Sequence, residues 1–135
     1  SSGKKSKVKN LEIWGRKVKV GKSIENLAIF DYEELFLDNL SASDYKVICK
    51  EFDLVFLKNL PNFTSEAKNE IKRFMLFIDE VYENKVALII LAQSRIEALY
   101  SNKKDNKTNA RVVSRLNVIK SDLYFNNSKY IKNAI

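Results

Sequence analysis

The sequence predicts an α/β fold: a small mixed sheet with a parallel βαβ crossover, an N-terminal β-meander and a C-terminal helix. Three observations carry that reading. From Leu11 to Phe30, apolar and polar residues alternate through LEIW, KVKV and LAIF, the period of half-buried strands. Ala67, Ile71, Phe74, Met75, Ile78, Val81 and Tyr82 keep the spacing of one helix face. Beyond them, Val86 to Ala92 is a continuous apolar run, long enough for a strand covered on both faces. With the apolar stretch Asp53–Leu57 ahead of the long helix, strand, helix and strand form a crossover whose two strands lie parallel.

Taken in order, residues 1–10 (SSGKKSKVKN) are expected to be a disordered basic lead-in or a cloning remnant, leaving 11–135 as a single α/β domain. Gly15-Arg16 is the expected first tight turn of the meander. DYEELFLD, residues 31–38, places Tyr32, Leu35 and Phe36 three and four apart and reads as a short helix. Ser41 followed by Asp44 is a capping-box pattern. Tyr45, Ile48, Cys49 and Phe52 then share one face, so a second helix runs from about Ser43 to Glu51. Pro61 closes the strand at Asp53–Leu57. The long helix starts at Thr64 or Ser65, with Glu66 suited to its positive end, and stops at Asn84-Lys85. Ser94–Tyr100 reads as a short helix, residues 101–109 (SNKKDNKTN) as a mobile polar loop. Arg111 to Tyr124 returns to helical spacing through Val112, Leu116, Ile119 and Leu123, with Arg111 and Arg115 one turn apart on another face.

At 135 residues and 45% apolar composition the chain can bury one ordinary core. Its longest apolar run is too short to span a bilayer. The single cysteine, Cys49, cannot form an internal disulfide, suits a reducing compartment, and by its spacing belongs to the core. The net charge of +7 is local: residues 1–22 hold eight basic side chains and one acid, Glu12, and the rest of the chain is neutral. A basic arm on a neutral body suits a phosphate backbone, an acidic protein or an anionic surface, so a non-enzymatic binding module stands as the alternative to an enzyme.

Motifs narrow the chemistry. GRKVKVGKS, residues 15–23, nearly spells a phosphate-binding loop. That loop needs four residues between its glycines so that successive N–H groups curl round a phosphate; here five intervene, and alternating Lys-Val favours a hairpin. With no histidine, the chain lacks the usual base for a serine or cysteine nucleophile and the usual zinc ligands. Asp31, Glu33 and Glu34 suit a helix start, and Asp79, Glu80 and Glu83 an outward helix face. Asp79, whose helix also carries Arg73, is the acid that stands out, either in a structural ion pair or in a site. FDLVFLKNLP, residues 52–61, ends a strand with Lys58-Asn59 where a nucleotide-hydrolysing strand carries acids.

Read in succession, WGR; IFDYEELF; SASDYKVICKEFDLVFLKNLP; KRFMLFIDEVYENKVALIILA; IEALY; and RVVSRLNVIKSDLY resemble the C-terminal third of the ZapE family of AAA+ ATPases, also called AFG-one-like. The match runs from Leu11 to Tyr124. Its most specific parts are Ser43-Asp44-Tyr45, Pro61, Arg73-Phe74 with Asp79 and Tyr82, Leu99-Tyr100, and Arg111 with Ser114-Arg115-Leu116. Departures are Phe36 in place of a cysteine, Lys72 in place of the first of two arginines, the lack of an aromatic residue before Arg111, and Asn117-Val118-Ile119 after Ser-Arg-Leu.

The resemblance implies that the Walker A and Walker B elements lie upstream of this region, so Lys58-Asn59 is no mutilated catalytic tip. The parent would use ATP and Mg and couple hydrolysis to action on a protein partner in cell division or protein quality control. This fragment alone is expected to bind neither and to be inactive, with no catalytic residue and no metal site. Arg111 and Arg115 are the candidates to reach a nucleotide phosphate or a neighbouring ATPase subunit, because a guanidinium suits phosphate and stays charged; a helix-surface salt bridge is the competing role. The expected location is the bacterial cytoplasm, peripheral at the inner membrane, with the mitochondrial matrix as the alternative; nucleic acid is not an expected partner under this reading.

Overall fold

The computed structural model describes residues 7–13, 16–24, 26–36, 40–61, 68–92 and 106–134, with side chains from 26 onward except 68, 106–109 and 134. Five strands form one sheet in sequence order: β1 (Lys7–Ile13), β2 (Arg16–Ile24), β3 (Leu27–Asp31), β4 (Leu54–Leu60) and β5 (Ala87–Ala92). The first three form the antiparallel meander, and β3, β4 and β5 run parallel. The mixed sheet with its crossover is therefore as the sequence predicts. Residues 16–23 of the GRKVKVGKS segment lie in a strand paired with β1: Ile13 is opposite Arg16, and β2 continues to Ile24. Gly15 lies outside the described residues, while Arg16 already belongs to β2. β1 begins at Lys7, so residues 7–10 of the expected lead-in belong to a strand beside β2, with a register irregularity between Lys7 and Lys9.

Between the parallel strands lie α1 (Tyr32–Phe36), α2 (Ala42–Glu51) and α3 (Lys68–Glu83). In α2 the Asp44 carboxylate accepts from the Ser41 backbone N–H at 2.7 Å, the return half of the capping box. The residues expected to start α3, Thr64 to Ala67, lie outside the described residues. Two crossovers stepping the same way across a sheet put their helices on one face, and α2 packs on α3. Their rings form the centre of the core: Phe36 meets Phe74 edge-on at 5.5 Å and Phe77 at 5.7 Å, and Phe77 also meets Tyr45 at 5.7 Å. Tyr45 donates its hydroxyl to the Leu35 carbonyl at 2.7 Å, and Arg73 donates to the Phe36 carbonyl at 2.9 Å, so both satisfy acceptors at the end of α1.

Three details differ from expectation. β4 runs to Leu60 through Lys58-Asn59, with Asn59 in the left-handed region (φ 62°) and the register to β5 shifting between Leu57 and Leu60. β5 lies at the edge of the sheet among the described strands, and Ile89 and Leu91, which share one of its faces, are 42% and 56% exposed, because an apolar run does not by itself say whether both faces are covered. The C-terminal segment is three helices, α4 (Asn106–Ile119), α5 (Asp122–Asn127) and α6 (Lys129–Ala134). The expected loop 101–109 gives way to helix at Asn106, and its first part, like the expected helix 94–100, lies outside the described residues. The expected single helix to Tyr124 breaks at Ser121, whose side chain caps α5 by accepting from the Tyr124 N–H.

Candidate functional site

α3 ends in a turn that organises its surroundings. Lys85 is left-handed (φ 55°); its N–H donates to the Tyr82 carbonyl, and the Val86 N–H to the Val81 carbonyl at 3.0 Å. That is a Schellman motif with lysine where glycine is usual. Tyr124 seats its hydroxyl between the Val86 and Val81 carbonyls, 2.7 and 3.0 Å away. Burial raises the pKa of this phenol well above its ordinary value, with the nearby Cys49 and Tyr82 adding to the rise. Anchored in this way, the Tyr124 ring lies nearly parallel to that of Tyr82 (16°, 6.3 Å), and the Arg115 guanidinium sits over the Tyr82 ring at 4.2 Å.

Both candidate arginines converge on one acid. Val112, Leu116 and Ile119 bury the inner stripe of α4, which turns Arg111 and Arg115 toward α3. Arg111 Nη2 donates to Asp79 Oδ2 at 2.9 Å. Arg115 Nε stands 3.9 Å from Asp79 Oδ1, an ionic contact too long for a hydrogen bond. Among the described residues Asp79 Oδ1 has no hydrogen-bond partner although it is buried. Arg111 is 57% exposed and Arg115 34%, so donors remain on both guanidiniums. The acid that stands out in the sequence is thus paired with Arg111, whereas Arg73 serves α1.

The ends of the parallel strands offer a different chemistry. Asp31 and Lys58 are register partners, and Asn59 donates to Asp31 Oδ2 at 2.6 Å. No group of three or more metal-ligating side chains occurs among the described residues. Neither the Lys58-Asn59 tip nor the β1–β2 hairpin fits a magnesium nucleotide: the tip adds no carboxylate of its own and the neighbouring Asp31 is bonded to Asn59, and extended strands cannot curl their N–H groups round a phosphate. The guanidinium donors beside Asp79 fit an oxyanion instead. Cys49 is fully buried and its thiol is pushed far up by that burial, so it is a core residue. No described helix is long and apolar enough to cross a membrane.

The structure brings together Arg111, Arg115 and Asp79, which the sequence singles out, and adds Tyr124, to which the sequence gives no role beyond closing a helix. Its signal was faint: Ser121 three residues before Tyr124 marks a new helix start, which fixes where that ring can point.

A mixed sheet with a parallel βαβ crossover, and two guanidiniums gathered on Asp79, define an α/β unit. The chain belongs to the AFG1-like ATPase family, whose model matches residues 1–128. It is similar to the cell division protein ZapE of Escherichia coli, 29% identical over 92% of this chain and 33% of that protein. It is also 32% identical to lactation elevated protein 1 homolog B of Danio rerio, over 66% of this chain and 18% of the relative. An uncharacterized protein of Schizosaccharomyces pombe is 31% identical over 67% of this chain and 20% of its own length. The chain therefore spans between a fifth and a third of these relatives. No solved structure gives a significant match.

Proposed function

We propose that this chain is the C-terminal α/β portion of an AAA+ ATPase that couples ATP hydrolysis to action on a protein partner, and that Arg111 and Arg115 contribute accessory charge to a nucleotide phosphate or a neighbouring subunit. The supporting observation is the convergence of two guanidiniums, one helical turn apart, on a half-exposed face with donors to spare. In the parent, ATP and Mg supply the phosphoryl chemistry and are held by residues outside this chain. The portion described here supplies a rigid scaffold, with α4 fixed against α3 by Val112, Leu116 and Ile119. Work on a cell-division or quality-control client, in the cytoplasm or the mitochondrial matrix, is the corresponding reading for the parent. The test is to measure ATPase turnover of a protein that includes the upstream region, with and without Arg115→Ala. A clear loss of turnover or nucleotide affinity is expected, and an unchanged rate removes the proposal.

A second reading rests on charge. Lys7, Lys9, Arg16, Lys17, Lys19 and Lys22 lie on the two outermost strands of the meander, which suits a phosphate backbone. Binding to duplex DNA that falls steeply with salt, and is lost when Lys7 and Lys9 become glutamine, would favour it over the first.

A further inference from the structure

Asp79 faces an arrangement it cannot satisfy. One carboxylate has to serve two guanidiniums, and its geometry serves only one: Arg111 is bonded at 2.9 Å while Arg115 is held off at 3.9 Å, and Oδ1 stays buried without a hydrogen bond among the described residues. Buried acceptors are nearly always bonded, so this is a pairing of compromise. Arg115 does not depend on it. The Tyr82 ring lies 4.2 Å below its guanidinium, Tyr124 lies against Tyr82, and two main-chain carbonyls fix Tyr124. That stack holds the guanidinium plane while leaving its outer N–H groups unused among the described residues.

We propose that Arg111, Arg115 and the Tyr82–Tyr124 stack form a phosphoryl-oxyanion site in which Asp79 is a resident competitor, holding Arg111 until an incoming phosphate displaces it. The inference rests on the reading of Arg111 and Arg115 given above and adds to it a positioning device and a latch. A phosphoryl group suits the site better than a carboxylate because three terminal oxygens can meet both forks at once, whereas the two oxygens of Asp79 meet only one. Tyr82 and Tyr124 are positioning residues: they set where Arg115 points and touch no ligand.

The experiment titrates inorganic pyrophosphate into the 135-residue chain, following the Nε–Hε resonances of Arg111 and Arg115 by NMR, with succinate as a dicarboxylate control. Pyrophosphate is expected to shift both resonances saturably, and Arg111→Ala or Arg115→Ala to weaken binding. Asp79→Asn keeps the side-chain size but removes the competing charge, and it should tighten binding by about fivefold, the upper end of what a partly exposed ion pair contributes. Tyr82→Leu should weaken binding by about twofold to fivefold, as loss of a cation–π contact implies, and Tyr82→Phe should restore it. These two variants test the site even if Asp79→Asn fails to fold.

Unchanged or weaker binding by a folded Asp79→Asn overturns the latch, and equal affinity for succinate overturns the phosphoryl assignment. The outcomes separate from those of the first proposal. Loss of turnover in Arg115→Ala together with no gain in Asp79→Asn leaves the ATPase reading standing and removes only the competitor.

Discussion

Along α3, Phe74, Phe77, Ile78 and Val81 enter a dry cluster of rings, whereas Asp79 and Tyr82 on the same helix meet α4 where Arg111 is 57% exposed. The first side is redundant. Phe36 alone meets Tyr32, Tyr45, Phe74 and Phe77, and Tyr45 and Phe77 also meet each other. The second side is a chain of single contacts running from Val86 through Tyr124, Tyr82, Arg115 and Asp79 to Arg111. Packing energy accumulates on the first and charged donors remain available on the second, so packing and charge occupy different sides of one helix.

Breaking the ring side should have the larger consequences. Phe77→Ala removes a fully buried ring packed on Phe36 and Tyr45 and should cost about 3–5 kcal/mol in urea denaturation. Alkaline titration probes the same side. Burial raises the Cys49 thiol and the Tyr45 phenol above their ordinary values of 9.0 and 10.0, and lifts Tyr32 to about 12. A group whose folded pKa is raised contributes its full stability below the unfolded value and loses it as pH rises through the folded one. Stability should therefore be flat below about pH 9. Above that it should fall by up to about 1.4 kcal/mol per pH unit for each such group ionised only in the unfolded chain. Denaturation midpoints measured from pH 8 to 11 check this, and Tyr45→Phe should soften the decline above pH 10.

On the other side, Tyr124→Phe removes the hydroxyl held by the Val81 and Val86 carbonyls and should cost about 1 kcal/mol, read from the urea midpoint. Arg111→Ala should change stability by less than about 0.5 kcal/mol, since its ion pair is largely solvated; a calorimetric loss as large as that of Phe77→Ala would erase the contrast between the two sides.

The difference also explains what was readable in the sequence. Helical spacing of Phe74, Ile78 and Val81 and the Ser41–Asp44 pair reveal α3 and α2, because burial and capping are local patterns. The parallel crossover follows from their order. The exposure of Ile89 and Leu91 is hidden, since a strand covered on one face and a strand covered on both can share the same letters. The single contacts were harder still: that Asp79 binds Arg111, with Arg73 committed to Phe36, depends on how α4 is rotated against α3. The break at Ser121 is concealed because the apolar period continues to Leu123 across it.

The turn after α3 has one more implication. The C-terminal helices are moored there through backbone acceptors, with Tyr124 on the oxygens of residues 81 and 86 and the Lys129 N–H on that of residue 85. Every amino acid brings the same oxygen, so these hydrogen bonds do not themselves depend on which side chains stand at the three positions. An insertion of a single residue in that turn, by contrast, would displace all three mooring points together.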